Sequence, residues 1–335
     1  MTNLIRTTAV AAAGLAGSWI LYSRTSIDHA LPLEPAIDAE RERFVSERAG
    51  LLCYYVQRSA EHNGAHVMPP LVLVHSINAA GCASEMRPIF QAYRGHRGVY
   101  ALDLPGFGFS ERADRVYSPA LYKQAIIDLL ERIGEKADVV ALSLGSEFAA
   151  SAALERPDLF RSLTLISPSG FTARDNQGRS QQASQSGTSD TLYKAFSYPL
   201  WGRAFYDLIA TRTSIHYFLQ QSFEGQVDPG LEAYAYRTTH QPGAHYAPLY
   251  FVSGKLFTSD IRDQVYAKLG LPVLVLYDRD FFVRFDTLPD FLDAHDNWSA
   301  QRIEPTKGLP QFEQTDAVVA ALDGFWERLP VEKPH

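Results

Sequence analysis

Cysteine is scarce in this chain of 335 residues, and Cys53 and Cys82 are too few for a disulfide framework or a thiolate metal cage. Each reads as a small buried hydrophobe. Basic residues form no block: 31 Lys and Arg stand against 38 Asp and Glu, a formal net charge of −7, so nucleic acid is not an expected partner. Phosphate loops, dinucleotide fingerprints and metal-ligand clusters are also missing from the sequence, and neither a cofactor nor a metal is expected. With nearly half the residues apolar and about a fifth charged, the composition is that of a globular protein with a sizeable core.

Long apolar runs are rare too. "TTAVAAAGLAGSWILYS" (residues 7–23) carries no charge and lies between Arg6 and Arg24. As a helix it rises roughly 25 Å, the short limit for crossing a bilayer core. It fits a signal peptide poorly, because its small residues lie mid-run and bulky "WILY" stands where a cleavage site belongs. Two readings stay open: a membrane anchor over residues 1–24, and an Ala/Gly-rich helix packed on the domain. The charged segment that follows, within residues 25–50, is expected to form a helical stalk.

From residue 51 the pattern alternates. "LVLVHS", "VYALDLP", "ADVVALSL" and "SLTLISP" are short apolar runs of the kind found in strands buried on both faces. Helical stretches separate them, among them "SPALYKQAIIDLLERIG" with Ser118 as its cap. Such alternation predicts βαβ units and a mostly parallel sheet, an α/β class. It stops at residue 169. Residues 173–190 are polar and read as a loop, and the chain to residue 269 is aromatic-rich and helical. "LPVLVLYD" restores a strand, so the core spans 51–168 and 270–330, with a helical cap inserted over 169–269 after the sixth strand.

"VVALSLGSEFAA" (residues 139–150) raises the question of chemistry. Ser143 follows an apolar strand and precedes a helix, with Ala141 two before it and Gly145 two after. A nucleophilic serine needs this sharp strand-to-helix turn, which lifts its hydroxyl clear of the sheet.

At this point the chain resembles the α/β-hydrolase fold family over roughly residues 50–330. "PPLVLVHSINAAGCASEMRPIF" looks like the family's third strand and oxyanion loop, and "VYALDLPGFGFSER" like its next strand and turn. "VVALSLGSEFAA" matches the nucleophile elbow, "LPVLVLYDRDFFV" the strand before the acid, and "GLPQFEQ" the loop that normally holds the histidine. The resemblance implies Ser143 as nucleophile, with the Ile77 and Leu144 backbone N–H groups as oxyanion donors. Ser76 stands where glycine is usual, as bulk in the loop or as an extra donor, and His75 reads as structural. Asp280 is the better candidate for the acid and Asp278 the other.

The histidine is missing. No histidine lies between His295 and His335, and a serine hydroxyl without a base is a poor nucleophile. Three repairs remain open: Lys307, next to the vacant position; His240 or His245, reaching down from the cap; or chemistry that does not deprotonate Ser143. The expected function is hydrolysis of an apolar ester-type small molecule through Ser143 and a non-standard base. The alternatives are a non-catalytic binding protein and a cofactor-independent lyase or isomerase. The compartment follows the N-terminal run: membrane-associated with an anchor, otherwise cytoplasmic.

Overall fold

The computed structural model describes residues 2–58, 68–173 and 186–330. Helix α1 (Thr2–Thr25) opens the chain, followed by an extended segment, β1 (Glu40–Ser46) and β2 (Gly50–Gln57). The expected alternation begins at β3 (Leu71–Val74) and runs through α2 (Arg87–Tyr93), β4 (Val99–Asp103), α3 (Pro119–Ile133), β5 (Ala137–Leu142), α4 (Gly145–Glu155) and β6 (Phe160–Ile166). The cap supplies α5 (Ser186–Phe196), α6 (Gly202–Ile209), α7 (Arg212–Gln221), α8 (Pro229–Thr239), α9 (Tyr246–Val252) and α10 (Ile261–Gln264). The core resumes with β7 (Val273–Arg279), α11 (Leu288–Asp293), β8 (Trp298–Lys307), α12 (Pro310–Glu313) and α13 (Thr315–Glu327).

The eight strands form one sheet in the order β1-β2-β4-β3-β5-β6-β7-β8. The first two pairings are antiparallel and all later ones parallel. The continuous apolar runs explain the layering, because successive side chains point to opposite faces. Val72, Val74, Val139 and Ala141 pack with Tyr122 and Phe148 on one face. Leu71, Leu73, Val140 and Leu142 pack with Phe90 and Leu322 on the other. Helix α3 starts where expected: the Ser118 side chain accepts the Leu121 N–H, Pro119 takes the first position, and Gly134 ends the helix at φ 77°.

At the amino ends of the parallel strands lies a buried ion cluster. The Asp138 carboxylate accepts hydrogen bonds from Arg97, from Arg161 (2.8 Å and 2.6 Å) and from the Ser162 hydroxyl (2.6 Å). The Arg97 side chain is fully buried, donates to the Pro69 carbonyl (2.6 Å), and stacks 4.6 Å from the Trp326 ring centroid.

Two expectations change, and the packing of α1 bears on a reading left open. Residues 25–50 form no helical stalk: residues 40–46 pair with β2 as an edge strand. A free strand edge outweighs local helix propensity, and charges such as Glu40, Glu42 and Arg43 suit an outermost strand. Of the polar stretch 173–190, residues 174–185 lie outside the described residues, and from Ser186 onward it is already helix α5. The last turns of α1 pack on the cap. Trp19 Nε1 donates to the Ala204 carbonyl (2.7 Å), Ser23 Oγ to Asp207 (2.5 Å) and Arg24 to the Leu200 carbonyl (3.0 Å). Among the described residues no helix is long and apolar enough to cross a membrane.

Replacing Asp138 by alanine strands the buried Arg97 guanidinium. The expected loss is about 3–5 kcal/mol of unfolding free energy, read from urea denaturation followed by circular dichroism.

Candidate active site

Parallel pairing brings five strand ends to one edge of the sheet, where ligands of such folds bind. They deliver the 75–80 loop after β3, Ser143 after β5, Ser167 after β6, Asp280 after β7 and Gly308 after β8.

The Ser143 N–H donates to the Ile166 carbonyl (2.8 Å), extending the β5–β6 ladder by one step. The backbone then turns left-handed at Ser143 (φ 50°), and α4 begins as Ser146 N–H bonds the Ser143 carbonyl (2.9 Å). A non-glycine residue in this region costs of order 1–3 kcal/mol, so the surroundings must hold it there. A Cβ on Gly145 would lie 2.4 Å from the His75 carbonyl oxygen, so only glycine lets the elbow meet the oxyanion loop. Ala141, in place of the usual glycine, is accommodated in the core, and its carbonyl accepts the Ser146 hydroxyl (3.1 Å). Ser143 itself is half-buried. Among the described residues its hydroxyl has no hydrogen-bond partner, and no acceptor claims the Ile77 or Leu144 N–H.

The 75–80 loop is pinned from behind. His75 Nε2 accepts the Leu104 N–H (2.9 Å), which leaves Nδ1 to donate to the Ser76 carbonyl (2.6 Å). Burial lowers its pKa to about 4, so the ring is neutral and its tautomer set, a structural role. Ser76 is fully engaged: its N–H donates to Glu85 (2.8 Å) and its hydroxyl accepts from Asn78 (2.8 Å). Ile77 is therefore the loop's unclaimed donor, while Ser76 serves the loop. From the cap, the Tyr206 hydroxyl donates to the Ala79 carbonyl (2.8 Å).

The two aspartates separate clearly. Asp278 is buried, with one carboxyl oxygen on Arg302 Nε (2.7 Å) and the other on the Thr306 N–H (2.8 Å). Both oxygens are engaged in tying β7 to β8, which commits Asp278 to a structural role. Asp280 accepts the Phe282 and Val283 N–H groups on Oδ1 (2.7 Å and 3.2 Å), which leaves Oδ2 free. Burial raises its pKa to about 6 against the pull of those N–H donors. A Cβ on Gly308 would lie 3.1 Å from that Oδ2. Gly308 thus fills the place from which a side chain would meet the acid.

None of the three candidate bases is directed at Ser143. Lys307 Nζ lies 3.5 Å from Glu224, turned to that ion pair. His240 Nδ1 bonds the Tyr236 carbonyl (2.8 Å), and its ring lies in the wall of one cavity. His245 lines a neighbouring cavity of about 450 Å³ beside Tyr206 and Asp207. Both cavities lie between the N-terminal segment and the cap, and Ser143 lines neither. Ser167, at the tip of β6, was not singled out by the sequence, which gives no local sign of its left-handed φ of 45°. Gly308 was detectable in principle, as the residue immediately before "LPQFEQ".

The chain matches the Alpha/beta hydrolase family over residues 71–321 and belongs to it. Over 108 residues it is 33% identical to the "Uncharacterized hydrolase YugF" of Bacillus subtilis (strain 168), a match covering 32% of this chain and 39% of that relative. The chain thus spans well under half the length of this curated relative. Among solved structures, the enol-lactonase of Burkholderia xenovorans LB400 superposes with a TM-score of 0.65 at 15% identity, over 86% of this chain and 100% of that one. A membrane phospholipase A described as a bacterial virulence factor gives 0.63 at 17%, over 98% and 97%. At such identities the likeness shows the fold.

One turn into α4, buried Glu147 accepts hydrogen bonds from Ser169 Oγ and the Thr258 N–H (2.7 Å), and burial raises its pKa from 4.5 to about 7. A carboxyl raised in the folded state favours folding below its unfolded pKa, and that contribution is lost as pH climbs through 4.5 to 7. Glu147→Gln is therefore expected to gain stability relative to the natural chain over that interval, on the order of 3 kcal/mol, measured as the pH dependence of the urea midpoint.

Proposed function

We propose that the chain is a serine hydrolase of an apolar ester-type small molecule, with Ser143 as nucleophile. One observation carries this reading: a strained serine whose hydroxyl is free follows β5 where the helix start meets the loop after β3, and the backbone N–H groups of Leu144 and Ile77 on those two segments are unclaimed. Attack of Oγ on a carbonyl forms an oxyanion, which those two donors stabilise where the charge develops; one such donor is worth about 10²–10³-fold in rate. Asp280 is the acid that orients the base, and the base is non-standard. The aromatic-rich composition of the cap favours an apolar acyl or alcohol group.

A second reading, a binding protein that keeps Ser143 by descent, draws on Gly308 at the position where a base belongs. A fluorophosphonate probe distinguishes them. Labelling of the full chain that disappears in Ser143→Ala is the expected outcome, measured by intact mass with and without added imidazole, whereas a Ser143 unreactive under both conditions favours the binding protein.

Membrane association is the second part of the proposal. Leu15, Leu21 and Tyr22 on α1 and Leu200, Trp201 and Leu208 beside α6 are exposed where the two helices meet. Such side chains suit the interface of a bilayer, with Arg24 nearby at headgroup level. The full chain is expected to co-sediment with phosphatidylglycerol-containing vesicles, and Leu21→Asp combined with Trp201→Asp to remain in the supernatant.

A further inference from the structure

The tips of β6, β7 and β8 leave three groups without work. Gly308 (φ 39°) presents only hydrogen towards Asp280. Asp280 Oδ2 has no hydrogen-bond donor and no ion-pair partner among the described residues. The Ser167 hydroxyl is buried without a hydrogen bond of ordinary geometry, yet it lies close enough to the Asp280 carboxyl to favour its charged form. Around the missing Cβ the next atoms are Ser222 Cβ and Cα, at ordinary contact distances of 3.5 Å and 3.7 Å. Gly308, Asp280 and Ser143 all lie at the carboxyl ends of the parallel strands, and each is half-buried rather than sealed in the core.

A half-buried carboxylate that keeps one oxygen open is a poor state to leave unmatched, and the natural partner for that oxygen is an N–H donor. Among the described residues none is placed on Oδ2: Arg279, adjacent to Asp280, and Lys307, adjacent to Gly308, are both turned to Glu224. We propose that the position opened by Gly308 receives a nitrogen base carried in by the substrate, so that the ester cleaved here bears an imidazole-type ring near its scissile carbonyl. Such a ring has the two faces the site requires. One nitrogen donates its N–H to Asp280 Oδ2, and the other offers a lone pair to the Ser143 hydroxyl. The inference rests on Ser143 being the nucleophile.

The step balances without an added reagent. The Ser143 O–H bond breaks and its proton passes to the ring nitrogen, while Oγ bonds the carbonyl carbon. The carbonyl π pair moves onto the oxygen facing the Ile77 and Leu144 N–H groups. Collapse expels the alcohol, which takes the proton from the ring. Water then enters by the same route: its oxygen bonds the acyl carbon as its proton passes to the ring, and the C–Oγ bond breaks as that proton returns to Ser143 Oγ, releasing the acid. Asp280 stays ionised throughout and stabilises the transient imidazolium. A ring on the acyl half stays in place for the second step.

Free imidazole is the probe. Hydrolysis of p-nitrophenyl butyrate by the full chain is measured against imidazole concentration, with Ser143→Ala as the background. The expected result is a saturable rate increase of roughly tenfold or more, lost in Asp280→Asn and in Gly308→Ala, whose Cβ takes the space. Gly308→His is expected to hydrolyse the ester without imidazole. Absence of saturable rescue in a natural chain whose Ser143 reacts with fluorophosphonate overturns this inference and leaves the nucleophile standing. Absence of both rescue and labelling, in the natural chain and in folded Gly308→His, overturns the two together.

Discussion

The approach of α4 to the loop after β3 is the constraint on which the site depends. Only hydrogen on Gly145 separates the helix start from the His75 carbonyl. That contact sets the elbow and the oxyanion loop against one another, and the left-handed backbone of Ser143 follows from it. His75 completes the arrangement from below. Because its ring is buried and neutral, with one nitrogen accepting and the other donating, it links the end of β4 to the loop without bringing charge there.

Carboxylates at the two ends of the sheet obey opposite rules. At the amino ends Asp138 is saturated by two guanidinium groups and a hydroxyl, the arrangement a buried structural anion requires. At the carboxyl ends Asp278 is likewise spent on Arg302 and Thr306, while Asp280 keeps one oxygen open beside Gly308. That open oxygen is what singles out Asp280 for the proposed chemistry. The same contrast separates Ser76, engaged on both its amide and its hydroxyl, from Ile77, whose amide is unclaimed.

Helix α6 joins the N-terminal segment to this site. Asp207 takes the Ser23 hydroxyl and the His29 ring (2.9 Å), and adjacent Tyr206 holds the Ala79 carbonyl of the oxyanion loop. The cap is thus bound on one side to residues 19–29 and on the other to the backbone that presents Ile77. Many of its aromatic side chains, Tyr206 and Tyr250 among them, are packed as core.

The sequence by itself determined the parallel core, the placement of the cap, the elbow at Ser143 and the gap in the usual base position. These are local: alternation of buried runs, a small-residue turn and a missing residue type can all be read within a dozen positions. Tertiary structure alone decided the rest. It turned residues 40–46 into an edge strand, because β2 offered a ladder that local propensity cannot foresee. It spent Asp278 on Arg302, drew Lys307 to Glu224 and placed His240 and His245 on cavities away from Ser143. The availability of a polar group depends on which partner the fold brings within 3 Å, and those partners come from distant parts of the chain.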